Sequence, residues 1–160
     1  MARAQAKKIG QPTMAEQADL HELYEEAVQN VETEIEFLND TFRDLRGRDA
    51  VSFREDFCGT ASASCEWVRT GTGRHAVGVD IDQDVLDWGR KNRIGRLPEA
   101  DRPRVKLLNG DVMRVDAGLV DIVGAFNFSY WIFKTRAEMR DYFSRVRESL
   151  HEDGVFFLDA

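Results

Sequence analysis

The chain has 160 residues, 42% of them hydrophobic and 32% charged, with a formal net charge of −7 and only two cysteines, Cys58 and Cys65. That length and balance describe one globular domain able to bury a core without staples, and they argue against a disulfide framework, a zinc site or a broad nucleic-acid surface. No apolar run is long enough to span a membrane, and no signal-type apolar stretch follows the basic start, so a cytoplasmic protein is expected.

Met1 to Thr13 is small, basic and polar, without apolar periodicity, and reads as a tail. From Met14 to Leu45 the pattern changes. Leu20, Tyr24, Ala27, Val31, Ile35, Leu38, Phe42 and Leu45 recur at steps of three and four. That spacing predicts one amphipathic helix, or two broken near Asn30, with Gly47 as the stop. Such a helical region (14–47) must lie on the domain that follows (48–160), where Tyr24 and Gln29 could reach a ligand.

Ala50 to Asp56 reads as a short first strand. Cys58-Gly59-Thr60-Ala61 turns the chain into a helix ending at Arg69. Thr70-Gly71-Thr72-Gly73 is a loop: it follows a helix rather than a strand, the wrong place for a phosphate-binding turn. Ala76 to Val79 form the second strand, closed by Asp80. Asp82 is the expected N-cap of the next helix. A run of Arg90, Lys91, Arg93, Arg96, Arg102, Arg104 and Lys106 is the one basic segment. A solvated helix end and loop explains it, with a phosphate or nucleic-acid contact as the sharper alternative.

Val105 to Leu108 is a third strand, turned by Asn109-Gly110-Asp111. Val120 to Phe128 is nearly all apolar and predicts a fourth strand buried on both faces. Thr135 and Glu138 have capping-box spacing, opening a helix with Met139, Phe143, Val146 and Leu150 on one face. Glu152-Asp153-Gly154 is read as a turn into a fifth strand, Val155 to Leu158. Alternating strands and helices predict an α/β fold: a doubly wound, Rossmann-like parallel sheet of about five strands behind an N-terminal helical extension.

In such sheets ligands bind beyond the carboxyl ends of the strands, beside helix N-termini. A dinucleotide dehydrogenase wants three glycines in the first turn; this turn has Gly59 alone, which disfavours an NAD-type oxidoreductase. No Gly-Lys-Ser/Thr follows, so a P-loop is excluded. A turn preceded by Glu55 and Asp56 repels phosphate and suits a cationic amino-acid moiety. Cys58 is read as a small buried residue, because no histidine nearby would activate it.

Glu55-Asp56-Phe57-Cys58-Gly59-Thr60-Ala61 resembles motif I of class I S-adenosylmethionine-dependent methyltransferases, in the variant carrying Cys-Gly-Thr. Phe57 and Ala61 stand where that family has glycine. The resemblance implies S-adenosylmethionine as cofactor, with register favouring Glu55 over Asp56 as the motif acid. It places Asp80, 25 residues after Glu55, on the ribose hydroxyls, with Ile81 beside it. Gly110, Asp111 and Val112 fall near the adenine. Asn127 and Tyr130, after the fourth strand, face the methyl-transfer region. They loosely resemble the Asn-Pro-Pro-Tyr motif of amino-group methyltransferases, but Phe128 and Ser129 replace both prolines, so an amino acceptor does not follow. The resemblance implies methyl transfer to an acceptor, most simply a small molecule. A module that binds the cofactor without turnover is the competing reading. The family's sheet has seven strands, so a chain with five is expected to expose the fifth-strand edge, which a second copy could cover.

Overall fold

The computed structural model describes residues 18–28 and 30–159. The expected tail at Met1 to Thr13, and Gln29, lie outside the described residues. The elements are α1 (Leu20–Val28), α2 (Val31–Arg46), β1 (Ser52–Asp56), α3 (Ser62–Arg69), β2 (His75–Asp80), α4 (Gln83–Asn92), β3 (Val105–Asn109), β4 (Val120–Ala125), α5 (Arg136–Glu148) and β5 (Leu150–Leu158). The strands form one sheet of order β3-β2-β1-β4-β5, and every pairing is parallel. This is the doubly wound arrangement that the alternation predicts. Strand order reverses at β1, so the crevice of the fold opens between the ends of β1 and β4.

The predicted stops and starts fall where side-chain chemistry puts them. The helical region breaks at Asn30, and Gly47 ends α2 in the left-handed conformation at φ 68°, its N–H on the Arg43 carbonyl. Asp82 caps α4 by accepting from the Asp84 and Val85 amides. Thr135 and Glu138 form the full capping box of α5.

One face of the sheet carries α2 and α3. Ile35, Leu38 and Phe42 of α2 meet Trp67 and Val68 of α3 over Phe53 and Ile122. Trp67 is fully buried; truncating it to Ala would cost about 3–5 kcal/mol. The expected stripe is narrower than its sequence pattern, for Leu20 and Leu45 are exposed. The other face packs on α5, and there the buried residue is Tyr142 rather than Phe143. Tyr142 touches Phe133, Phe57 and Phe156 and so fills the space under the switch point.

Two strands differ from the sequence reading. β4 stops at Ala125, because Asn127 and Phe128 turn into the left-handed region, both at φ 55°. β5 already begins at Leu150, and Glu152-Asp153-Gly154 is an irregularity within it, where the register against β4 shifts between Val120 and Ile122. Asp153 is held there by Arg48, which also pairs with buried Asp121 at 2.7 Å. The Asp121 carboxylate in turn accepts from the Val51 and Ser52 amides and pins the start of β1 to β4.

The basic segment is largely consumed by the fold. Arg104 donates to the Gly71 and Arg74 carbonyls and to Asp101, Arg102 to the Leu97 carbonyl, Arg93 to Glu25 and Arg90 to Asp87. No helix among the described residues is long and apolar enough to cross a membrane.

Candidate functional site

The first turn is built from backbone that its side chains do not favour. Phe57, Gly59 and Ala61 lie at φ 59°, 51° and 62°. Only glycine adopts that region without cost; an L side chain there costs about 1–2 kcal/mol. Phe57 and Ala61 thus keep the conformation of the glycines they replace. Contacts hold it. The Cys58 N–H donates to the Val79 carbonyl at 3.0 Å, and the Ala61 N–H to the Cys58 carbonyl at 2.8 Å. The Phe57 ring packs on Phe133 and Tyr142. Gly78 makes room for Cys58, since a Cβ there would sit 2.8 Å from its Sγ. Gly89 lets α4 press on the turn: a Cβ would meet the Thr60 carbonyl oxygen at 2.5 Å.

Ala61 has no side chain to cap α3. Glu55 does this from β1 instead: its Oε2 accepts from the Ser64 N–H at 2.9 Å and the Ser64 hydroxyl at 2.6 Å. A carboxylate at a helix N-terminus satisfies an orphan amide and meets the positive end of the dipole. Burial nevertheless pushes the Glu55 carboxyl up to about 7, with the charges of Glu34 and Asp80 adding to the rise. Its neighbour Asp56 turns to the opposite face, as alternation requires. There it takes the Arg54 Nε–H at 2.7 Å and the Tyr142 hydroxyl at 3.0 Å. The other end of Arg54 donates to the Val112 carbonyl.

Asp80 stands at the end of β2, beside the turn. Its Oδ2 accepts from the Gly59 N–H at 2.8 Å and its Oδ1 from the Asp82 N–H at 2.9 Å. The Asp80 carbonyl takes the Gly110 N–H at 2.9 Å, tying the ends of β2 and β3 together. Above Gly59 there is open space: no atom comes within 4 Å of where its Cβ would be. A cavity of about 370 Å³ occupies this point, lined by Phe57, Cys58, Gly59, Thr60, Asp80 and Asn127, with His21, Val85, Ser129 and Ile132.

Six of the predicted site residues therefore share one cavity. Glu55, Asp56 and Ala61 lie buried behind it. Ile81 is 75% exposed. Asp111 caps its own turn, its Oδ1 on the Met113 N–H. Val112 is buried, and Tyr130 sits in the core with Tyr142. Asn127 and Tyr130 are thus parted, one at the cavity and one beneath it. Tyr24 lies on α1, and its side chain is outside the described residues. Cys58 is 3% exposed, and burial pushes its thiol well above the usual range, as expected for an inert core cysteine.

Glu25 escaped the sequence reading. From α1 it accepts from the Thr60 and Ser62 hydroxyls and from Arg93, so the N-terminal helices are fastened to the first turn itself. Trp88 of α4 adds to this joint by donating to Asp19 at 2.7 Å and packing at a tilt against His21, ring centroids 5.1 Å apart. The only sequence signal was indirect: an acid one residue past the apolar stripe, with a surplus of arginines 65 to 71 positions away.

An open parallel sheet with a cavity at its switch point defines a Rossmann-like α/β protein. The profile of a methyltransferase domain family matches residues 56–158, and the chain belongs to that family. No curated protein matches the sequence. Among solved structures, the chain is similar to CalS10, an amino pentose methyltransferase from Micromonospora echinaspora involved in calicheamicin biosynthesis and bound to S-adenosylmethionine: 24% identity, TM-score 0.69, 86% of this chain and 54% of that one. The sugar N-methyltransferase KedS8 from Streptoalloteichus is 18% identical with TM-score 0.70, over 99% of this chain and 59% of that one. An S-adenosylmethionine-dependent methyltransferase from Clostridium acetobutylicum is 17% identical with TM-score 0.70, over 86% and 55%. The chain spans about half the length of these similar proteins.

Proposed function

We propose that the chain is the cofactor-binding core of an S-adenosylmethionine-dependent methyltransferase acting on a small molecule in the cytoplasm. One observation carries the reading: the Asp80 carboxylate and the Gly59 amide, bonded to each other at 2.8 Å, line the same cavity as Asn127. The donor set fits the cofactor. Asp80 uses one lone pair of each oxygen on backbone amides, which leaves both oxygens able to accept from vicinal ribose hydroxyls. The open space over Gly59 admits close approach to the turn. The negative charge of Glu55 and Asp80 favours a cationic sulfonium and ammonium over a phosphate. Gly110 and Asp111 lie at the purine end, where Ile81 offers an apolar surface.

When bound, the cofactor supplies a methyl carbon that is already electrophilic. The chain's own contribution is placement. The turn holds the amino-acid end against β1, and Asp80 fixes the ribose. Asn127 faces them across the cavity from the turn after β4, and α1, fastened through Glu25, brings His21 to its wall. No general base is assigned. Calorimetry with S-adenosylhomocysteine tests the reading: micromolar binding is expected, and no binding at high micromolar concentration would sink it. Turnover against a panel of small acceptors then separates an enzyme from a module that only binds.

A further inference from the structure

The crossover from β3 to β4 carries no helix. A parallel crossover ordinarily lays a helix on the sheet; here residues 110–119 form a loop. Val112, Met113, Val115 and Ala117 pack it on the α5 face with Val123, Tyr142 and Val146. Between the loop and the last turn of α5 lies a cavity of about 350 Å³. It shares no lining residue with the cavity over Gly59.

One wall of this cavity is Arg54 of β1, which is 2% exposed. A guanidinium has five N–H donors, and the fold uses fewer. The Nε–H goes to Asp56 at 2.7 Å and Nη2 to the Val112 carbonyl at 3.0 Å, while Nη1 has no acceptor among the described residues. Nη1 is not sealed in. Among the described residues, the buried side-chain polar atom that lacks both solvent and partner is Asn39 Oδ1. The end of the Arg54 fork therefore opens into the cavity. Around it the wall is apolar, with Val112, Met113, Val115 and Leu119. The charges at the rim nearly cancel. Arg145 pairs with Glu148 at 3.0 Å, Asp116 takes the Gly118 N–H, and exposed Arg114 stands 3.7 Å from Asp111.

We propose that this cavity is a second ligand site, and that it takes a small carboxylic acid with an apolar body. The carboxylate accepts the two N–H bonds at the end of the Arg54 fork, and the body lies among Val112, Met113 and Val115. The site is separate from the methyltransferase reading and stands without it. A carboxylate on a guanidinium fork makes two parallel charge-assisted bonds, stronger than neutral ones. A buried donor without an acceptor costs free energy, and a carboxylate relieves that cost where hydrocarbon alone does not. A dianion such as phosphate fits less well, because Asp116 and Glu148 stand at the rim and Asp56 already balances the Arg54 charge.

The test titrates benzoate, its neutral counterpart benzamide and inorganic phosphate into the protein at constant ionic strength. The Arg54 Nε–H and the amides of residues 112–119 are followed by NMR. Benzoate is expected to shift them with an affinity about tenfold above that of benzamide, and phosphate to leave them in place. Arg54→Lys keeps a cation for Asp56 without the fork and should abolish the preference for benzoate. Two substitutions at the exposed rim test the site without disturbing the core. Glu148→Gln should tighten benzoate, and Arg114→Ala weaken it, by about twofold each, with benzamide unchanged. Equal affinities for benzoate and benzamide, a stronger response to phosphate, or shifts that spare Arg54 and residues 112–119 would overturn the proposal. So would benzoate affinity unchanged in both E148Q and R114A. Saturating S-adenosylhomocysteine should leave the benzoate response as it was, and its loss would move the probe to the cavity over Gly59. Benzoate binding in a protein that does not bind S-adenosylhomocysteine would spare this site and remove the methyltransferase reading; the reverse result would do the opposite.

Discussion

Glu55 and Asp56 are adjacent on β1 and both are buried, and burial raises both carboxyls. On the α5 face Asp56 meets an arginine and a tyrosine hydroxyl that favour its charge. On the α3 face Glu55 meets, among the described residues, only the Ser64 hydroxyl and amide, and two further carboxylates add to its cost. One step along the chain separates a charge the protein neutralises from one it leaves open. The first face is a structural joint. The second holds negative potential next to the cavity, where a cationic ligand would complete it.

The largest effect should come from the closed side. Asp56→Ala leaves the Arg54 guanidinium, 2% exposed, without its partner, and should cost about 3–5 kcal/mol in urea unfolding. A loss below about 1 kcal/mol would mean that the ion pair does not distinguish the two faces. The open side should show itself through pH. The folded state holds the Glu55 proton more tightly than the unfolded chain, whose carboxyl ionises near 4.5. Stability should therefore fall as pH rises from about 4.5 to about 7 and level off above, by about 3 kcal/mol at most. Glu55→Gln should remove that slope while keeping an acceptor for Ser64, and parallel pH curves for the two proteins would refute it. Asp80→Ala extends the contrast to the second strand: S-adenosylhomocysteine binding should weaken by about 1–3 kcal/mol in calorimetry, and unchanged affinity would take Asp80 out of the site. The smallest effect belongs to the turn between the two carboxylates and α3. Ala61→Gly releases a left-handed alanine, and should stabilise by about 0.5–1 kcal/mol and raise Tm by a few degrees.

The later strands were legible because each holds an apolar run bounded by a turn or a cap, and β1, of mixed polarity, from its place before the first turn; the caps at Gly47, Asp82 and Thr135 stand where predicted. The first turn was legible as chemistry but not as geometry. Nothing in the letters of Phe57 and Ala61 says that they keep a glycine's backbone; that is imposed by the β2 contact and the packing under Tyr142. The choice between Glu55 and Asp56 had a local clue, since Arg54 shares a face with Asp56 at period two, but its second partner, Tyr142, lies 86 positions away. The start of β5 was hidden by Glu152-Asp153-Gly154, whose turn-like letters sit inside a strand because Arg48 reaches them from the end of α2.

The strand order also sets when the cavity can exist during folding. β1 meets β2 across the α3 crossover, with Ser52 beside His75, 23 positions on. It meets β4 only when residues as far apart as Ser52 and Asp121, 69 positions, are brought together. A loop three times longer adds about 1 kcal/mol of closure entropy, and long-range pairing of this kind slows folding. The Gly59–Asp80 half of the cavity belongs to the early closure and Asn127 to the late one. Refolding should therefore restore the first turn before it restores a place for a ligand.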